Sequence, residues 1–292
     1  MASTRDIRRR IKSVKNTAQI TKAMQMVASS KMRRAQQAAL AGRPYSQLMY
    51  RIQREVTMHA GDFSHPLLEQ RPVSRRAVIL VSTDKGLCGA LNSNLLREAA
   101  KYDPKNTVFI AAGRKAAQWV ARTKRTLAAE FSYKDTPGFA EARSIAKLAR
   151  DMFVKGEVDH VDILFTHFLN TLSQKPVGIQ FLPVGEIAGM QAGKEPEKGE
   201  APKDEAIAEF LFEPSAGEVL GALLPHYLNF YVYQVLLDAK ASEQSARMVA
   251  MKSATDNASQ LIKDLTLEYN KMRQTAITKE LLEICSAQMA LQ

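Results

Sequence analysis

The stretch KGLCGALN, Lys85 to Asn92, follows an apolar run and precedes a helical pattern. Backbone amides in that setting can cradle a phosphate. Its glycines fit neither GxGxxG nor GxxxxGK[ST], so the spacing favours a tight strand-to-helix turn over a nucleotide loop. Cys88 lies in this turn near Lys85, and a cation beside a thiol favours the reactive thiolate. No histidine is close in sequence to act as its base. The other cysteine, Cys285, is equally isolated: there is no CxxC, and neither a disulfide framework nor a zinc site is legible. The five histidines, His59, His65, His160, His167 and His226, form no HxH or HExxH pattern. His160 and His167 flank or enter a predicted strand, where a structural role is the ordinary one. The acidic residues show no paired arrangement for general acid and base work. No motif for catalysis emerges, and the chemistry to look for is that of surfaces.

Charge points the same way. Residues 1–54 carry 13 Lys and Arg against the single acid Asp6, while the other residues hold 28 basic and 29 acidic groups. The whole excess behind the formal charge of +11 therefore sits in the first segment, and an acidic partner is implied for it. Nucleic acid, an anionic membrane and an acidic protein all qualify at this level. The basic residues come with few aromatics and with no helix-turn-helix or basic-zipper pattern. The longest aliphatic run, Ala77 to Val81, is far too short to span a bilayer, and the polar N-terminus lacks a secretory h-region.

Glycine and proline punctuate helices, and all 14 Gly and 11 Pro lie from Gly42 to Pro225. Two long helical arms should thus flank a globular middle. In the first, steps of four and three connect Ile7, Ile11, Val14, Ala18, Thr21, Gln25, Ala28, Met32, Ala35 and Ala39, with Ile20, Met24 and Val27 widening the stripe. In the second, the same steps run from Tyr227 and Phe230 through Leu237, Gln244, Met251, Thr255, Ile262, Leu265 and Met272 to Ala276. A helix from Pro225 to the end would be roughly 100 Å long at 1.5 Å per residue, more than a compact domain needs. Ala, Thr and Gln are frequent in both seams, so the pair should be slender rather than tightly zipped. In the middle, strands are predicted at 77–84, 107–113, 161–168, 177–184 and 207–212, and helices at 92–102, 114–124 and 139–155. That alternation implies an α/β layer with a largely parallel sheet. Residues 185–205, rich in Gly, Pro, Lys and Glu, read as a surface loop.

Four stretches resemble the gamma subunits of F-type ATP synthases. They are IRRRIKSVKNTAQITKAMQMVASSKMRRAQ (Ile7–Gln36, continuing into RPYSQ at 43–47), VSTDKGLCGALN (Val81–Asn92), YQVLLDAKASEQSARMVAMKSATDNASQLI (Tyr233–Ile262) and YNKMRQTAITKELLEI (Tyr269–Ile284). Together they cover nearly a third of the chain. The resemblance implies an antiparallel coiled coil of the terminal helices, 1–60 and 215–292, inside a ring of alpha and beta subunits. It also implies an α/β foot, 74–214, resting on the membrane ring of c subunits. The chain would then be a non-catalytic rotary shaft that couples proton flow to ATP synthesis. It would hold no cofactor, Mg-ATP and ADP being bound by its neighbours, and would lie peripherally on the cytoplasmic face of a bacterial inner membrane. No nucleic acid and no small-molecule substrate are expected.

By the same resemblance, Met24, Arg273, Gln274 and Thr278 match positions where the shaft meets the head, and Glu280 and Glu283 fit the closing signature. Ala287 and Gln288 depart from the Gly and Ala that normally continue it. The turn from Lys85 to Cys88 resembles the patch that faces an acidic lever of the beta subunits, which would also account for the basic arm and its Arg33 and Arg34. In FLFEP, Phe210 and Glu213 resemble the contact with the c ring and the epsilon subunit. The inserted cysteine pair of plastid members is missing. Two rival readings are a basic coiled-coil protein that binds nucleic acid and a nucleotide-binding α/β enzyme.

Overall fold

The computed structural model describes residues 4–59, 65–133, 136–184, 213 and 215–290. The chain forms two compact units, one of Ser29–Ala246 and one of Met1–Ala28 with Arg247–Gln292. Helices α1 (Thr4–His59) and α5 (Ala216–Ala290) run through both. Between them in sequence come β1 (Arg76–Val81), α2 (Leu91–Ala99), β2 (Thr107–Ala112), α3 (Arg114–Arg122), β3 (Thr126–Phe131), α4 (Phe139–Val154), β4 (His160–Phe168) and β5 (Gln174–Leu182).

In the larger unit the strands make one sheet in the order β3-β2-β1-β4-β5, parallel throughout except for antiparallel β5. The central strand β1 reads RAVILV, apolar on both faces, as a parallel strand covered on both sides must be. Ala77, Ile79 and Val81 turn to one face and pack with α4 and α5, while Val78 and Leu80 turn to the other and pack with α2 and α3. The sequence pattern missed β3. TLAAEF is an edge strand with a single neighbour and one largely open face, so it needs no buried run to hold its place. The strand expected at 207–212 and the loop at 185–205 lie outside the described residues.

α5 starts at Ala216 and takes in Pro225, the last proline of the chain. Ser215 and Glu218 explain the start, since the serine hydroxyl accepts the amide of Glu218 at 3.3 Å in the manner of an S-x-x-E cap. Pro225 removes one helical hydrogen bond, about 3 kcal/mol in an exposed helix. Leu224 and Leu228 beside it are fully buried against the sheet, which offsets that loss.

In the smaller unit, the seam positions of α1 and α5 are buried or half-buried from Ile7 to Ala28 and from Met251 to Met272. The hydroxyls of Thr21 and Thr255 lie 2.7 Å apart across the pair. An antiparallel run from that contact brings Ile7 opposite residue 269, and cover on α5 ends just there. Ala276 is exposed and the seam stops at Met272; residues 273–286 are exposed on every side. Ile20 and Val27 do not widen the seam: they are 60% and 53% exposed, because a pair of helices covers one stripe and among the described residues no third helix covers the next.

Candidate functional site

Each parallel strand of the sheet ends on the same side, and this C-terminal rim holds the turn singled out in the sequence. The Thr83 hydroxyl donates to the carbonyl of Lys85 at 2.7 Å. Asn92 Nδ2 donates to Thr83 Oγ1 at 2.8 Å and to Cys88 Sγ at 3.2 Å. These bonds close the loop over Cys88, which is 2% exposed, and leave Lys85 and Leu87 on its outside. Leu87 sits at φ 63 and Gly89 at φ 59, so the loop is wound through the left-handed region that a branched side chain avoids.

The start of α3 beside this turn is occupied by the protein's own oxygens. Asp84 Oδ1 accepts the amide of Arg114 at 2.9 Å, the carbonyl of Thr83 accepts Lys115 at 3.1 Å, and Ser82 Oγ accepts Ala116 at 2.7 Å. A phosphate has no place at those amides. Gly113 makes the fit possible: at φ 106, a Cβ on it would stand 2.3 Å from the carbonyl oxygen of Ser82.

The same rim is fastened to a short stretch of α5 by buried polar contacts. Asp238 pairs with His167 Nδ1 and accepts the amide of Phe168 at 3.1 Å. Ser245 donates to the carbonyl of Thr171 at 2.8 Å in the β4–β5 hairpin. Lys240 bonds Glu243 at 3.0 Å and lies 5.5 Å over the ring of Tyr133, whose hydroxyl donates to the carbonyl of Ser82 at 2.7 Å. Burial, with the charges of Glu243 and Asp84, pushes the Tyr133 phenol far up, so it stays a donor. Apolar packing lets a helix roll on a sheet, whereas directional bonds of this kind fix its rotation.

At the opposite, N-terminal end of the sheet, Asp162 meets Arg76 at 2.7 Å and His160 at 2.9 Å. Burial pushes its carboxyl up, and the bonds and charges of His160 and Arg76 more than reverse that, leaving it below the usual range. Tyr102 close by is pushed up to about 12, first by burial and then by the charge of Asp162.

The remaining expected site residues fall in separate places. Arg33 and Arg34 are exposed on α1 and Met24 is half-buried there. Arg273, Gln274, Thr278, Glu280 and Glu283 share the exposed end of α5, where Thr278 Oγ1 donates to the carbonyl of Gln274 at 2.9 Å and Glu283 faces Lys279 at 3.6 Å. Glu213 is exposed just before α5, and Phe210 lies outside the described residues. Among the described residues no group of three or more His, Cys, Asp and Glu is placed to hold a metal, and no helix is long and apolar enough to cross a membrane.

Residues 3–291 match the family model described as ATP synthase. The sequence is 48% identical over 296 residues to an ATP synthase gamma chain of Methylacidiphilum infernorum, covering all of both chains. The chain belongs to the ATP synthase gamma-chain family. A gamma chain of Opitutus terrae is 50% identical over 292 residues, with 99% of each chain covered. In fold, the structure is similar to a chain in the Euglena gracilis mitochondrial ATP synthase (OSCP/F1/c-ring, rotational state 3). The TM-score is 0.72 at 22% identity, over 99% of this chain and 94% of that one. Membership in the family takes precedence over the nucleic-acid reading of the basic arm.

Sequence reasoning did not find the rim contacts of α5. Asp238 and His167 are 71 residues apart, and nothing local marks either one. The signal available was ASEQS (Ala241–Ser245), a polar run in which every residue is buried.

Proposed function

We propose that this gamma chain is the rotating central shaft of a proton-translocating ATP synthase, coupling proton flow to ATP synthesis and hydrolysis in alpha and beta subunits around it. The observation that carries this reading is the end of α5. A paired coil gives way at Met272 to a helix exposed on all sides, a shape suited to turning inside a ring rather than to packing in a core. Each orientation of an asymmetric shaft favours a different conformation in each catalytic neighbour, so rotation is converted into sequential changes of affinity. The chemistry and the Mg-nucleotide belong to those neighbours, and this chain contributes contacts alone.

Arg273, Gln274, Thr278, Glu280 and Glu283, with Met24 on the paired coil, would meet the head from inside. Arg33, Arg34 and Lys85 would face acidic groups of the beta subunits, with Cys88 holding the turn closed beneath Lys85. Phe210 and Glu213 would meet the c ring and the epsilon subunit, and attachment to the cytoplasmic face of a bacterial membrane would be through those partners.

Affinity purification of the native complex through this chain tests the reading. Recovery of alpha, beta, epsilon and c subunits with proton-pumping ATPase activity is expected. Recovery of the chain without alpha and beta subunits would overturn it.

A further inference from the structure

From Tyr227 to Ala246 no residue of α5 is exposed, so the helix passes the sheet as an enclosed cylinder. In the stretch YLNFYVYQVLL (Tyr227–Leu237) every position but Asn229 and Gln234 is apolar. A helix with one apolar stripe is oriented by burying that stripe, but a helix apolar all round buries much the same area at any rotation. Hydrophobic packing therefore holds α5 in place without choosing the angle at which it points. Something directional has to choose it.

The next two turns supply it. Both carboxylate oxygens of Asp238 are engaged at the end of β4, one with His167 Nδ1 and the other with the amide of Phe168 at 3.1 Å. Seven residues on, close to two turns and so on the same face, Ser245 donates to the carbonyl of Thr171 at 2.8 Å. Lys240 stands about 200° round the helix from Asp238, at roughly 100° per residue. There it meets Glu243 at 3.0 Å and the ring of Tyr133 at 5.5 Å. That ring is held in turn by its hydroxyl, which donates to the carbonyl of Ser82 at 2.7 Å. The helix is thus gripped from two nearly opposite sides, by the β4–β5 hairpin and by Tyr133. Bonds on opposite sides of a cylinder act as a couple, and any roll of the helix bends them away from their preferred geometry.

Lys240, Glu243 and Ser245 are buried, and Asp238 and His167 nearly so. Burying such groups is costly, and an apolar pair of like volume commonly holds a fold at least as well. What leucine in their place could not supply is resistance to twist. We propose that Asp238 and His167, together with Ser245 and Lys240, form a torsional key that stops α5 from rolling on the sheet when rotation works against a load, which makes them positioning residues for coupling. This rests on the proposed function. Without the key the helix stays packed but the sheet slips around it, and work done at one end of the chain is lost before it reaches the other. Slip needs an opposing torque, so the loss belongs to the loaded machine and is absent from the idle one.

The complete complex carrying His167→Leu with Asp238→Leu, reconstituted in sealed vesicles, tests this. The two leucines keep apolar volume at the site and remove every directional bond. Assembly is expected with a melting temperature no lower than that of wild type. Protons pumped per ATP hydrolysed should match wild type before a gradient has built and fall about twofold or more once the gradient opposes rotation. Asp238→Asn accepts the Phe168 amide and donates its own amide to His167 Nδ1, so it should restore the wild-type ratio under load. Ser245→Ala removes one bond and almost no volume, and should lower that ratio by less than the leucines do. A leucine pair with a wild-type ratio under load, with or without a lower melting temperature, would overturn the key, as would an Asn variant impaired as much as the leucines. Should the leucine pair fail to assemble, Ser245→Ala decides, and a wild-type ratio there overturns the key. A preparation lacking alpha and beta subunits would overturn the shaft reading instead.

Discussion

Asp162 ties the stability of the sheet to pH with a sign that can be worked out. Its folded pKa is depressed, through burial outweighed by His160 and Arg76, so its stabilisation is present above the unfolded carboxylate value of about 3.9 and is lost as pH falls through the lower folded value. Asp162→Asn should cost about 2–4 kcal/mol at pH 7, since it leaves Arg76 with a neutral partner in a largely buried place. Melting curves from pH 7 to pH 2 should show the difference between wild type and variant shrinking below about pH 4; a constant difference across that range would mean the carboxylate's charge is not what stabilises. Gly113→Ala is a steric counterpart on the other rim. With φ at 106 and the Ser82 carbonyl oxygen 2.3 Å from the new Cβ, it should destabilise by at least about 2 kcal/mol and loosen the turn below Lys85. Denaturant unfolding of the purified chain measures it.

At the level of elements, the end of α5 and the basic stretch of α1 should tolerate changes that a core helix would not. Deleting residues from Leu281 onward removes no buried residue among those described, because residues 273–286 are all exposed. Circular dichroism should show the truncated chain folded, with a melting temperature within about 2 °C of wild type. Arg33→Gln with Arg34→Gln should likewise keep assembly and melting temperature, as both side chains are exposed, but lower the protons pumped per ATP hydrolysed. A fall in melting temperature with that ratio intact would make the arginines structural. The elements themselves differ in how far sequence revealed them. The four-three spacing located the seams nearly residue for residue, because a two-helix pair imposes one periodic stripe. It failed at Ile20 and Val27, where apolar type was taken for burial, and at Ala276, where the partner helix had ended. β3 was invisible because an edge strand needs no apolar run. The turn at Lys85 was legible as a turn; the Asp238–His167 pair was not, since it gains meaning from strand order.

For the molecule as a whole, the concentration of its positive charge in residues 1–54 predicts an association governed by salt. Reconstitution of the chain with isolated alpha and beta subunits should weaken steadily between 50 and about 500 mM salt, through the association rate more than the dissociation rate; stopped-flow mixing separates the two, and a salt-independent rate would point to apolar docking alone. The bare end of α5 has a different consequence. Starting a helix is the unfavourable step and extending one is nearly neutral, so the segment past Met272 keeps its coil by continuation from the turns before it. Each added residue there gains one backbone hydrogen bond and no packing. Winding should therefore decay toward Ser286, and amide hydrogen exchange in the isolated chain should quicken smoothly along the segment rather than in one cooperative step. A socket that closes around it receives a rod already mostly wound, and most of the ordering entropy of that contact is spent before the two ever meet.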